Sequence, residues 1–249
     1  MKSEKFSGMM RVVQFNWPLY LVAAFIATLL AVISFTHSID ASMRIVCGVA
    51  TVLIIAQIIA SLVVSHLVYD LSSFSNWQWL KEITTIEKPR ILLIHAGYDE
   101  TNNVLPGIFS TSEVVTVDFY DALEAKEPSI KKARELYPSA LIPTCTTLSN
   151  WPINDASIDL ALLAFAAHEI TDREQRLLLF REIRRVLSNQ GQALLIEHLR
   201  DMPNFMAFGF GCFHFLPRSE WLRCARLSSL TVKRQYKITP FVGVFSLCP

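Results

Sequence analysis

"DREQRLLLFREIRRVLSNQGQALLIEHLRD", residues 172–201, carries two periodicities in succession. Leu177, Phe180, Ile183 and Leu187 recur at helical spacing, an Asp opens the run and Gly191 stands at its end. A helix is therefore expected over 172–191, capped by Gly191. "QALLIEH" (192–198) follows at once as an apolar run of strand length. A helix feeding directly into a buried strand is one step of an alternating α/β chain.

The neighbouring segments continue the alternation. Upstream, "RILLIHA" (90–96), "EVVTVDF" (113–119) and "ALIPTC" (140–145) read as strands. "SIDLALLAF" (157–165) is nearly continuous in apolar residues, as a strand covered on both faces must be. "EPSIKKARELYP" (127–138) reads as a charged helix with Pro at an early position. Downstream, "RSEWLRCARL" (218–227) is a short helix, and "LTVKRQYKI" and "FVGVFSL" form a closing strand pair. Alternation over residues 90–249 predicts a doubly wound α/β sheet.

The first third of the chain is different. The 249 residues are 52% hydrophobic, and the mean hydropathy of +0.35 is high for a domain bathed in water. No Asp, Glu, Lys or Arg occurs from Val12 through Ile39, and a second uncharged run spans 45–69. A helix crosses the hydrocarbon layer with about 20 apolar residues. Helices over about 17–36 and 45–69 are thus expected to form a transmembrane hairpin, making residues 1–70 a two-helix anchor. Its apolar region exceeds that of a cleaved signal, roughly 7–15 residues. Lys2, Lys5 and Arg11 precede the first span, while Arg44 in the link is offset by Asp40. The positive-inside rule then places the N-terminus and residues 70–249 in the cytoplasm, on a multi-pass protein of the inner (cytoplasmic) membrane. Gln57 and His66 are expected to join the two helices by hydrogen bonds. Residues 71–89, "LSSFSNWQWLKEITTIEKP", read as an interfacial linker with its tryptophans at headgroup level.

Net charge is only +1, which gives no case for nucleic acid. Five cysteines without a CxxC pair argue against a disulfide framework or zinc ribbon.

Open α/β sheets bind ligands beyond the carboxyl ends of their strands. Ionisable residues gather at those positions here. His95, Gly97, Asp99 and Glu100 follow the first strand, and Asp118, Tyr120 and Asp121 mark the end of the second. His168 and Glu169 follow "SIDLALLAF", and Glu197, His198, Arg200 and Asp201 end the strand after the long helix. Asp118 lies 21 residues beyond Gly97, where an acidic residue commonly accepts hydrogen bonds from a ribose.

"VVTVDFYD", "LSNWPINDASIDLALLAFAAHEI" and "REIRRVLSNQGQALLIEHLRD" resemble the corresponding elements of class I S-adenosylmethionine-dependent methyltransferases, of the type 11-like kind. The resemblance covers residues 90–249 and leaves out the hairpin. It implies a Rossmann-like methyltransferase sheet with a terminal antiparallel strand pair, and S-adenosylmethionine as cofactor. It places Gly97 under the methionine part, Asp118 at the ribose, Thr147 and Leu148 beside the adenine, and Phe165 and Ala166 at the sulfonium. With His95, Asp99, Glu100 and Phe119 these form the expected cofactor-binding set. Where the family has an acidic residue and about three glycines in its first loop, this chain has "HAGYDET", which allows less close backbone approach.

Methyl transfer to a hydroxyl requires alignment and removal of a proton. His168 is the first choice of base, since an imidazole titrates near neutral pH. Glu169, Glu197 and His198 complete the catalytic set. Phe208, Phe213 and His214, within the aromatic run 204–216, are expected to form a substrate pocket facing the membrane. The partners expected are the bilayer and a lipophilic acceptor, quinone-like or lipid. The hairpin also offers a surface to a membrane-protein partner or a second copy. This reading contains no metal. Two alternatives stay open. One is a metal-dependent enzyme drawing ligands from His95, Asp99, Asp118, His168, Glu169, Glu197, His198 and His214. The other is an inactive membrane-anchored binding or assembly protein.

Overall fold

A computed structural model describes residues 5–83, 86–101, 104–110, 112–139 and 141–249. Lys2, Thr84, Thr85 and Ala140, which figure in the expectations above, lie outside the described residues.

Helices α1 (Ser7–Phe35) and α2 (Ala41–His66) pack side by side. Both are long and apolar enough to cross a membrane, with mean hydropathy of 2.3 and 2.5. Phe25, Leu29, Val32, Val52 and Leu53 point outward, so the pair is apolar around its circumference. The Tyr20 and Ser61 hydroxyls meet at 3.1 Å, and Thr51 Oγ1 reaches the Ala27 carbonyl at 3.4 Å. Asp70, just beyond α2, accepts from Gly8 N at 2.6 Å and Met9 N at 3.0 Å. It satisfies the open N–H groups of α1 and closes the hairpin at its base. Gln57 and His66 do not join the two helices as expected. Gln57 Nε2 donates to the Ala207 carbonyl at 2.7 Å, and His66 pairs with Asp70 at 2.9 Å.

Six strands follow: β1 (Ile91–His95), β2 (Val114–Asp118), β3 (Ile158–Ala164), β4 (Leu187–His198), β5 (Thr231–Thr239) and β6 (Val242–Cys248). Their order is β2-β1-β3-β4-β6-β5. The first four are parallel, and β6 runs antiparallel to both its neighbours β4 and β5, giving the closing antiparallel pair that the sequence predicts. In register, His95 faces Asp118, which brings the ends of β1 and β2 to one edge.

Four more helices matter. They are α4 (Pro128–Leu136), α5 (Arg173–Val186), α6 (Met202–Phe208) and α7 (Arg218–Leu227), with the short α3 (Leu105–Ile108) before β2. Leu177, Phe180 and Ile183 of α5 and Trp221 of α7 cover one face of the sheet. The other face is covered by Val64 and Val68, at the base of the hairpin, and by Phe74, Trp77 and Leu80. Each such buried apolar side chain contributes about 1.5–3 kcal/mol.

Three expectations change. Trp77 is not an exposed interfacial residue: it is 2% exposed and packs on Phe74, because it joins Val64, Val68 and Leu80 in covering the sheet face. Residues 141–145 form no strand; Cys145 makes one bridge to Val117. Two prolines near this segment, Pro138 and Pro143, remove donors that a ladder needs. Helix α5 ends at Val186 and β4 starts at Leu187, so Gly191 lies within the strand rather than capping the helix. Leu187 is buried opposite Ile158, and the register then slips before Gln192. A Cβ at position 191 would stand 2.5 Å from the Ile158 carbonyl oxygen, which explains glycine at this bulge.

Candidate active site

The end of β1 turns sharply at Gly97, whose φ of +91° suits a residue without a Cβ. A Cβ there would meet the Tyr120 ring at 2.9 Å. Gly97 N donates to His95 Nδ1 at 3.2 Å. Burial holds His95 below the ordinary imidazole range, against the pull of Asp99 and Asp118. Asp99 Oδ1 accepts from Thr101 N and Oγ1, at 2.8 and 2.7 Å. His95 Nε2 and Asp99 Oδ2 remain buried without a partner among the described residues. Buried polar atoms of this kind are places where a polar ligand regains hydrogen bonds. Burial pushes Glu100 up to about 7, with Arg11 opposing and Asp99 assisting. Arg11 Nη1 also donates to the Tyr98 hydroxyl at 3.2 Å, and Phe15 packs edge-on against Tyr98, so α1 rests on this loop.

Asp118 is buried at the end of β2. Its Oδ1 accepts from Tyr120 N at 3.1 Å and its Oδ2 from Arg134 Nη1 at 2.9 Å. A ribose at this carboxylate must therefore displace the Arg134 guanidinium, which is one-third exposed, reaches Asp121 at 3.5 Å and lies over the Tyr120 ring. Asp118 N donates to the Cys145 carbonyl at 3.0 Å, which brings Thr147 and Leu148 to the same side. Leu148 is buried and Thr147 exposed. Phe119 is fully buried in the core, so only its backbone faces this edge. The turn at Gly97, the unpaired His95 and Asp99 atoms and the position of Asp118 fit S-adenosylmethionine.

The ends of β3 and β4 meet in a buried ionic cluster. His168 Nδ1 donates to Glu197 Oε2 at 2.6 Å, and Glu197 Oε1 accepts from Ala167 N and His168 N at 2.9 and 3.3 Å. Burial alone would lower His168, but the charge of Glu197 and hydrogen bonds to Glu169 and Glu197 raise it to about 10. Burial opposes ionisation of Glu169, yet hydrogen bonds from His168 and His214 hold it down to about 2. His168 thus carries its proton at neutral pH and is not the free base expected from its residue type. Arg176, also buried, donates to the Ile170 carbonyl at 2.6 Å and pairs with Glu220. It ties the turn that holds His168 and Glu169 to α7.

His198 has the opposite environment. Its Nδ1 donates to the Phe241 carbonyl at 2.9 Å, so its Nε2 accepts from the Tyr69 hydroxyl at 3.0 Å. Its ring is stacked between Phe165 at 4.8 Å and Phe215 at 5.0 Å. Burial lowers it to about 4, the Phe241 carbonyl opposing. Phe165 holds φ at +49°, a left-handed conformation that costs a bulky residue about 1–3 kcal/mol. Phe208 lies edge-on to His198 at 5.5 Å. Phe213 is exposed and stacks on Phe210, away from His198.

The expected set therefore divides. His95, Gly97, Asp99, Glu100 and Asp118 share one edge; His168, Glu169, Glu197 and His214 form a second cluster; His198, Phe165 and Phe208 line an aromatic slot. Tyr69, Arg134 and Glu127 belong to these groups and were not singled out from sequence, whereas Phe215 lies in the aromatic run 204–216 that was. Tyr69 ends an apolar run and Arg134 and Glu127 belong to a charged helix segment, so none of the three carries a local signal.

Residues 106–195 match a family model described as a methyltransferase domain. A structure described as a SAM dependent methyltransferase from Aquifex aeolicus superposes with a TM-score of 0.52 at 16% identity, covering 73% of this chain and 92% of that one. A protein from Pyrococcus horikoshii OT3 gives 0.51 at 16% identity, covering 70% and 88%. A mitomycin 7-O-methyltransferase gives 0.52 at 13% identity over 99% of this chain and 73% of that one. No curated protein sequence matches this chain.

Proposed function

We propose, from the premise that this chain carries a class I S-adenosylmethionine-dependent methyltransferase domain, that it methylates a lipophilic small molecule at the cytoplasmic face of a membrane. The acceptor class is a quinone-like ring or a lipid bearing a hydroxyl.

One observation carries the acceptor class. The Gln57 bond to the Ala207 carbonyl holds α6 against the flank of α2. Met202, Phe205, Met206, Phe210 and Phe213 stand exposed along α6 and the turn after it, while Phe208 and Phe215 reach back to His198. An apolar surface thus runs from the hairpin to the aromatic slot. Exposed aromatic and methionine side chains beside a bilayer-spanning helix favour contact with acyl chains. The basic residues before α1 support a cytoplasmic N-terminus, and a hairpin returns the enzyme to that side.

S-adenosylmethionine supplies an electrophilic methyl carbon. The residues that would hold the cofactor are those of the Gly97 turn, Asp118 once released by Arg134, Thr147 and Leu148. Neutral His198 has its lone pair at Nε2, where an acceptor hydroxyl replaces that of Tyr69 and gives up its proton. Phe165 and Phe215 clamp the ring that makes this exchange and keep water from it.

The engagement of Asp118 by Arg134 favours a second reading, an anchored protein that has given up its cofactor. Calorimetric titration of the full chain in detergent with S-adenosylmethionine separates the two, followed by transfer of labelled methyl to a membrane lipid extract. Binding with labelled lipophilic product supports the enzyme. Absence of cofactor heat sinks it.

A further inference from the structure

The cluster at the ends of β3 and β4 contains a donor set that methyl transfer does not require. Glu169 stands between two imidazoles, with Oε1 3.4 Å from His168 Nε2 and 3.5 Å from His214 Nε2. One donor atom from each of the three residues lies within 4.8 Å of the others. A tetrahedral ion with bonds of about 2.0–2.1 Å has ligand–ligand edges of about 3.3–3.4 Å. Two edges of the set already have that length.

The outer contacts point the same way. Each histidine turns Nε2 toward Glu169 and offers its other nitrogen to a second carboxylate. His168 Nδ1 meets Glu197 Oε2 at 2.6 Å, and His214 Nδ1 lies 3.4 Å from Glu127 Oε1. Glu197 is in turn fixed by two backbone N–H groups. Carboxylates on the far nitrogen are what orient metal-binding imidazoles.

We propose that His168, Glu169 and His214 form a binding site for a divalent transition metal of the zinc or iron(II) class. Two imidazoles and one carboxylate suit those ions better than magnesium or calcium, which take oxygen ligands. Three protein ligands leave the ion room for an oxygen donor. The ligand class it would take is a hydroxyl or enolic oxygen, whose proton an adjacent cation makes easier to remove. That use rests on the methyltransferase reading; metal binding itself does not.

The test is cobalt(II) and zinc(II) titration of the full chain in detergent after treatment with a chelator. The expected result is one equivalent bound, with cobalt absorption bands of a low-symmetry nitrogen–oxygen site. His214→Ala, at a half-exposed position, should lower affinity at least about 100-fold, and Glu197→Gln about 10- to 100-fold. Circular dichroism reports whether each variant folds. Should His168→Ala fail to fold, the wild-type spectrum and His214→Ala still decide. A wild-type cobalt spectrum like that of the aqueous ion, or His214→Ala binding as tightly as wild type, overturns the proposal. Neither outcome touches cofactor binding, which is measured separately by titration with S-adenosylmethionine.

Discussion

The hydroxyl of Tyr69, at the base of the hairpin, hydrogen-bonds Nε2 of His198, at the end of β4, at 3.0 Å. The two residues are 129 positions apart in sequence. The bond ties the end of the second apolar helix to the aromatic slot and, with the Phe241 carbonyl at Nδ1, fixes the tautomer of neutral His198. Tyr69→Phe removes a donor that favours the neutral ring, but burial, the main cause of the low His198 value, persists, so His198 should stay well below the ordinary imidazole range. The acid limb of the pH profile of kcat/KM should therefore move little in this variant. An unchanged kcat in His198→Ala would remove His198 from the base role. His198→Ala should reduce kcat by about 10²–10⁴-fold while cofactor affinity is kept.

On the proposed reading, Arg134 competes with the cofactor ribose for the Asp118 carboxylate. Arg134→Ala should tighten S-adenosylmethionine, by about 10-fold, because a charge-assisted hydrogen bond of about 1.5–3 kcal/mol no longer has to be broken. Asp118→Ala should weaken it by about the same factor or more. Calorimetry on both variants checks the pair. Equal affinities in Arg134→Ala and wild type would mean that the ribose lies elsewhere.

Arg176 and Glu220 are both buried and face each other between α5 and α7. Removing one partner of a buried pair costs about 3–5 kcal/mol. Glu220→Ala should lower the thermal midpoint sharply. It should also loosen the turn that carries His168 and Glu169, because Arg176 holds the Ile170 carbonyl. Differential scanning calorimetry measures the first effect and amide exchange at residues 167–171 the second.

His198 also sets a stability trend. Its folded pKa, about 4, lies below the ordinary imidazole value of about 6.5, so the unfolded chain binds a proton that the native one refuses. Stability from this group is complete above about pH 6.5 and is lost as pH falls from there toward 4, by roughly 3 kcal/mol in all. His198→Phe should flatten that part of the pH–stability curve. Denaturant unfolding at pH 7.5 and 5 compares the two.

Periodicity made much of the fold readable. The strands β1, β2, β3, β4 and the closing pair stand where their apolar runs stand, because both faces of the parallel strands must be buried. The residues 187–191 were misread because a helical spacing that includes Leu187 is also satisfied by a strand that starts there. Trp77 was misread because tryptophan suits both an interface and a core, and only tertiary packing chooses. Strand ends located His168, Glu169, Glu197 and His198, but not their charge states. Those depend on Glu197 reaching His168 and Phe241 reaching His198, contacts between distant segments. Tyr69 and Arg134 had no signal at all.

Val64, Val68, Phe74, Trp77 and Leu80 close one face of the sheet. The pair of apolar helices is therefore not an appendage that can be cut away from a finished sheet. A chain that begins beyond Val68 loses part of the cover of that sheet face, so the last turns of the second apolar helix belong to the core of the α/β unit.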